Sequence, residues 1–276
     1  MVQHGLCGGG APHESYSLGA SVKPSMGKPQ RSAFINASFL DMKLYSYCLR
    51  YDDGAAPNPF WGLCTLVICK PAIRRTANTG DWVVGLGSAN SPIGDKSDYV
   101  VYAMKITDKM TMRRYNEFCG GHYPNKIPQW RNREDRQLRV GDCIYDYSQG
   151  ESPKLRWSVH IEENMKRDLG GKYALLSSHF YYFGDKPVSL PERLHPIIQA
   201  TQGHKSDANQ PYVTDFVAWI EDSGFEPNKL YGQPQMWQLD FDDDDDNFRR
   251  KCARWHLEAD DEVDPILSRP RNGQKK

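Results

Sequence analysis

Between residues 42 and 235 apolar and aromatic residues come in short blocks separated by turn residues, and each block predicts an element. Residues 44–51, rich in tyrosine, stop at Asp52-Asp53-Gly54 and predict a strand ending in a turn. Residues 63–69 predict a second strand, stopped by Lys70-Pro71. Thr79-Gly80-Asp81 opens a third over 82–86, and residues 99–106 predict a fourth. Turns rather than helical crossovers separate these four. The chain therefore reads as α+β, with an antiparallel-rich sheet or a small barrel and a few packed helices.

Helical spacing is rarer. Thr111 can cap a helix that puts Met112, Tyr115 and Phe118 on one face before Gly120-Gly121 ends it. Residues 126–139 form a polar, arginine-rich loop, and Gly141-Asp142 introduces a strand at 143–145. Residues 155–161 alternate too irregularly to assign, and 173–183 read as one aromatic strand. Ser189-Leu190-Pro191-Glu192 has the form of a capping box, predicting a helix from Leu190 to His195. Tyr212, Phe216, Val217 and Ile220 share a stripe closed by Gly224, predicting a helix that packs on the sheet.

The flanks are different in kind. Residues 1–41 carry Gly-Gly-Gly, Ala-Pro and Lys-Pro segments with no apolar period before Phe34, the signature of a disordered arm, and Met42 is a candidate start site. Residues 236–276 hold 11 acidic and 8 basic residues, including the run Asp242–Asp246 and then Arg249-Arg250-Lys251, which reads as a charged flexible tail. Between them, residues 42–235 carry 24 basic and 22 acidic groups. That excess of two gives no electrostatic footprint for a nucleic-acid duplex, although a local basic face is compatible with it. Apolar runs such as 63–69 fall far short of the ~20 residues that span a bilayer, so no membrane segment is expected. Seven irregularly spaced cysteines and no secretory leader point to reduced thiols in a cytoplasm.

Three constellations could carry chemistry. Asn58-Pro59-Phe60-Trp61 beside Asp52-Asp53 offers flat rings for a nucleobase and polar groups for its edge, or equally a buried aromatic anchor. Lys70, Arg74 and Arg75 could hold phosphate oxygens; Arg131, Arg133, Arg136 and Arg139 beside Trp130 read more simply as a solvated surface. The third set is His122, His160, His179, His195 and His204 with Cys64, Cys69, Cys119 and Cys143. It contains no Cys-x-x-Cys or His-Glu-x-x-His pair, so no metal is expected unless ligands converge in space, and no chelator should unfold the protein. The loop 85–90 lacks the Gly-Lys-Ser/Thr of a phosphate loop, and Ser88 and Asn90 remain as groups that could face a ligand.

These residues also carry a resemblance. Residues 42–47, Arg50-Tyr51-Asp52-Asp53-Gly54, Ala56-Pro57-Asn58-Pro59-Phe60, Cys69-Lys70-Pro71, Ile73-Arg74, Gly80-Asp81-Trp82 and Gly85 are similar to the bacterial and phage family named nucleotide modification associated domain 2. Leu175-Leu176-Ser177-Ser178, Tyr181-Tyr182-Phe183-Gly184 and Gly203-His204 extend the similarity to about residue 233. The family is tied to modified nucleotides through the company its members keep. A weaker similarity, a Gly-Asp turn and the strand 99–106, resembles the PUA and EVE domains, small barrels that bind bases or RNA. The resemblance implies stacking by Phe60, Trp61 and Trp82, and edge reading by Asn58, Ser88 and Asn90. It leaves two functions open. One is a module that binds a modified base, nucleotide or nucleic acid, alongside proteins of a modification or defence system. The other is an enzyme of such a pathway with Asp52, Asp53, His160, His179 or His204 as acid–base groups. No cofactor is implied.

Overall fold

Each predicted strand of the first half is present, and the connections between them hold the elements the sequence reading missed. The computed structural model describes residues 41–199, 203–238 and 245–259, which belong to a unit spanning Ala37–Lys276; the expected N-terminal arm, but for residue 41, lies outside the described residues. In chain order come β1 (Leu44–Cys48), β2 (Cys64–Leu66), α1 (Pro71–Thr76), β3 (Trp82–Leu86), β4 (Tyr99–Lys105), β5 (Asp108–Thr111) and α2 (Met112–His122). They are followed by α3 (Arg136–Arg139), β6 (Tyr145–Asp146), β7 (Lys154–Leu155), α4 (Glu162–Gly170), β8 (Tyr173–Ser177), β9 (Phe180–Tyr182) and β10 (Val188–Ser189). The last of the described elements are β11 (His204–Lys205), α5 (Val213–Asp222), β12 (Lys229–Leu230) and α6 (Asp245–Ala259).

The main sheet runs β11-β1-β3-β4-β9-β12, with β10 also paired to β4. Most of its pairings are antiparallel; β1 with β3 and β9 with β12 are parallel. It is open at β11 and β12, so the class is α+β with an open, antiparallel-rich sheet rather than a barrel. The parallel β1–β3 pair needs a crossover, and that crossover contains β2 and α1. A second sheet, β2-β8-β5, lies apart from the first. The stretch read as one strand over 173–183 is two: Ser177 Oγ donates to the His179 carbonyl at 2.8 Å and accepts from the His179 amide at 3.1 Å. That turn sends β8 to the small sheet and β9 to the large one.

Alternation along β1 and β3 sorts the core. Leu44, Trp82, Val84 and Leu86 pack with α5 through Phe216, Val217 and Ile220. Tyr45, Tyr47 and Val83 face the other way, toward the small sheet, α1 and α2. Thr111 caps α2 as expected, accepting from the Arg114 amide, but the helix runs through both glycines to His122. The expected helix at 190–195 is a 3-10 turn over Glu192–Ile197 with no side-chain cap; Ser189 instead pairs with Tyr99 in the sheet, and Pro196 lies within the turn. No helix among the described residues is long and apolar enough to cross a membrane.

The largest departure is in the expected tail. Residues 245–259 form α6, with Phe248, Cys252 and Ala253 buried and Phe248 stacked on Trp130 at 5.8 Å. Phe248, Cys252 and His256 recur every four residues, which is one helical face. The surrounding charges, Asp246 bonding Arg250 at 2.9 Å among them, occupy the outer side and masked the stripe in the sequence.

Candidate active site: a cysteine between two histidines

The strand β2 stops at Leu66, Val67 and Ile68 continue buried, and the backbone then turns sharply. Cys69 and Lys70 have φ of +57° and +41°, two consecutive side-chain-bearing residues in the left-handed region, before Pro71 opens α1. Arg74, one turn on, is fully buried. Its Nε donates to the Cys69 carbonyl at 2.7 Å and its Nη1 to the Tyr173 carbonyl at 3.0 Å, while Nη2 donates to the Asp168 carbonyl. Gly171 is required beside it, because a Cβ there would collide with the guanidinium. Arg74 thus fixes the turn rather than facing solvent for a phosphate.

Two imidazoles converge on the Cys69 sulfur. His160, just before α4, places Nε2 3.7 Å from Sγ, and His256 of α6 places Nδ1 3.0 Å from it. Each ring is braced from behind by a buried carboxylate: His160 Nδ1 donates to Asp168 Oδ2 at 2.6 Å, and His256 Nε2 to Asp53 Oδ2 at 2.8 Å. Asp168 is held in turn by the Cys69 amide at 2.9 Å and the Tyr145 hydroxyl at 2.7 Å, and Asp53 by the Ala55 amide at 2.9 Å. Burial works against charge on His160, but Asp168 and then Cys69 outweigh it and lift its pKa to about 9. For His256, burial is likewise outweighed, by Cys69 and Asp53, and the pKa rises well above the usual value. Burial disfavours charge on Asp168 and Asp53 too, and their histidines nevertheless hold both below the ordinary carboxylate range. The centre is two carboxylate-braced imidazoles flanking one sulfur.

Cys69 and His256 line a small cleft with Tyr47, Arg50, Tyr51 and Lys70, its volume about 20 Å³, room for one water-sized group. Cationic and aromatic groups dominate it. The Lys70 ammonium lies 5.0 Å from the Tyr47 ring and the Arg50 guanidinium 4.9 Å from the Tyr51 ring, and Trp255 stacks on Tyr51 at 5.7 Å. Arg50 Nε is buried with no hydrogen-bond partner among the described residues, a donor suited to an anion entering the cleft.

Of the residues singled out from the sequence, Cys69, Lys70, Arg74, Asp53 and His160 come together here. Asp52 lies beside them, its carboxylate accepting from the Tyr182 hydroxyl at 2.7 Å, with burial pushing its pKa up to about 7. Arg75 donates to the Gly170 carbonyl at the surface. The expected pocket shared by the Asn58 loop and Trp82 does not form. Trp82 sits in the core on the α5 side of the sheet, stacked on Tyr181 and edge-on to His179, which also lies 3.6 Å from Glu221. Asn58 is buried under Lys126, which donates to its Oδ1 at 2.6 Å, and Phe60 is buried against Trp237 at 5.5 Å. Only Trp61 of that loop is partly exposed. Ser88 is buried and caps the Asn90 amide at 3.1 Å, Asn90 itself is exposed, and His204 packs beside Tyr45 at the β11 edge. Sequence reasoning missed His256, Asp168 and Tyr145; the four-residue spacing Phe248-Cys252-His256 was the available signal for the first.

Cys69 Sγ, His160 Nε2 and His256 Nδ1 could also hold a metal, since three such donors lie within 4.8 Å of one another. Comparison with known proteins adds one finding. No curated protein and no solved structure matches the chain. The family described as nucleotide modification associated domain 2 matches residues 41–241, a span that contains Cys69, His160, Asp168 and Asp53 and ends before α6 and His256. By that match, which takes in well over half its length, the chain belongs to the nucleotide modification associated domain 2 family.

Proposed function

We propose that the protein is an enzyme acting on a nucleotide or its base within a nucleotide-modification or phage-conflict pathway, with Cys69 as its nucleophile. The observation that carries this reading is the sulfur flanked by two carboxylate-braced imidazoles. A binding module needs open stacking faces, and of the three rings expected to stack a base Phe60 and Trp82 are buried and Trp61 is only partly exposed; the groups an activated nucleophile needs are within reach of one another. His256 at 3.0 Å takes the thiol proton, and Asp53 holds that ring in the tautomer whose Nδ1 faces sulfur. His160, further off, is placed to protonate a leaving group or to activate water for the second half of the reaction. Arg50 supplies the contact for a phosphate or other anionic substituent once the cleft, about 20 Å³ as it stands, widens to admit the substrate.

One observation favours a second reading, in which the same three atoms ligate a transition metal: histidine ligands characteristically donate their other nitrogen to a carboxylate. Against it, ligands on one tetrahedral zinc sit roughly 3.5 Å apart given the usual bond lengths, and the Cys69–His256 contact at 3.0 Å is a hydrogen-bonded pair. The test is to incubate the full chain with a nucleotide and nucleoside pool and follow conversion by mass spectrometry, measuring metal content in parallel. Wild type should convert a component of the pool, Cys69→Ser should not, and His160→Gln should be slower on the order of 10²- to 10⁴-fold. Equal conversion by wild type and Cys69→Ser overturns the proposal. One zinc per chain, lost in Cys69→Ser, replaces the nucleophile with a metal ligand.

A further inference from the structure

Away from the cysteine centre, an open cleft of about 950 Å³ is lined by Trp130, Arg131, Arg133, Glu134, Arg156 and Trp157 among others. Trp130 is not its working ring, being buried under Phe248 and capped by the Arg139 guanidinium at 5.0 Å. Trp157 is. At 47% exposure it is the most exposed large apolar side chain among the described residues. The Arg131 and Arg249 guanidiniums lie 5.4 and 5.1 Å from it. Arg249 is tied down by the Ser158 carbonyl, and Arg156 by Asp146, Asn116 and the Cys143 carbonyl, so both serve as walls. Arg131 and Arg133 are exposed at the rim.

We infer that this cleft binds single-stranded nucleic acid, with a base stacked on Trp157 beside the Arg131 plane and phosphates on Arg131 and Arg133. An indole face and a guanidinium plane are both side-chain surfaces on which any base stacks, and the stack requires a base free of its duplex partner. Two rim arginines against one glutamate suit a short phosphate track. A duplex would call for a broader basic face than a domain with an excess of two positive charges displays. The cleft is joined to the cysteine centre by two short pieces of chain. Trp157 is three residues from His160, at most about 10 Å, and Arg249 lies two turns from His256 on α6, again about 10 Å. The strand would therefore be held within a few nucleotides of that centre.

The experiment is fluorescence anisotropy of the full chain with labelled 12-nucleotide oligo-dT and oligo-rU, competed by the mononucleotides and by a 12-base-pair duplex. Both or one of the single strands should bind, with log affinity falling against log salt at a slope of about −1.4 for two phosphate contacts. Trp157→Ala should weaken binding by roughly 5- to 150-fold with an unchanged melting temperature, and Arg131→Ala should weaken it and flatten the slope by about 0.7. Absence of oligonucleotide binding, a duplex or mononucleotide competing as well as the strand, or a folded Trp157→Ala variant binding as tightly as wild type each overturns the inference. Cys69→Ser leaves the cleft intact, so oligonucleotide binding by that variant reports on the cleft whether or not Cys69 is a nucleophile.

Discussion

Asp52 and Asp53 are neighbours in sequence with opposite electrostatics. Asp53 is held ionised by His256, whereas burial pushes Asp52 up to about 7 against the hydrogen bond from Tyr182. The unfolded chain releases the Asp52 proton near pH 4 and the folded chain near pH 7. In between, the folded state binds more protons, so this group's contribution to stability declines as pH rises across that interval. Asp52→Asn keeps an acceptor for Tyr182 and removes the titration. Urea unfolding should show the variant gaining on wild type by up to about 4 kcal/mol between pH 4 and pH 7, and a pH-independent difference would contradict the assignment. At this scale the sequence displayed the right residue types without their roles. Asp53, His160 and Cys69 were visible, but Asp53 reaches His256 across 203 positions and Cys69 reaches it across 187, a convergence that spacing cannot reveal. Asn58 and Phe60 looked like ligand groups because a polar residue or ring on a proline-stiffened loop has the same local signature whether it faces solvent or Lys126.

Elements were legible where one apolar face dominates. β1, β3, β4 and α5 follow directly from alternation or helical spacing. α4 was invisible because its inward face is polar: Asn164 and Asp168 are buried to build the site, leaving Met165 and Leu169 as weak apolar markers. α1 spans six residues and starts with proline, too short for a period. α6 is the consequential case, since a helix hidden among charges supplies His256. Its anchor is Phe248, so Phe248→Ala should lower stability by about 3–5 kcal/mol in chemical denaturation. A change under about 0.5 kcal/mol, typical of surface sites, would show that α6 does not pack there.

For the whole molecule, the balance of 35 basic and 35 acidic residues offers no long-range attraction to a duplex, and the family match associates the chain with nucleotide modification. Neither distinguishes binding from catalysis; that distinction rests on Cys69. Six cysteines lie among the described residues, and Cys48, half-buried, is more open than Cys69. Exposure alone therefore predicts faster alkylation at Cys48, while a sulfur activated by two imidazoles predicts the reverse. The deciding measurement is the rate of iodoacetamide modification at each cysteine at pH 6, where an ordinary thiol is almost wholly protonated, read by peptide mass for wild type and His256→Gln. The account predicts modification at Cys69 at least about tenfold faster than at Cys48 in wild type, with that advantage lost in His256→Gln; modification of Cys69 no faster than Cys48 in wild type would contradict it.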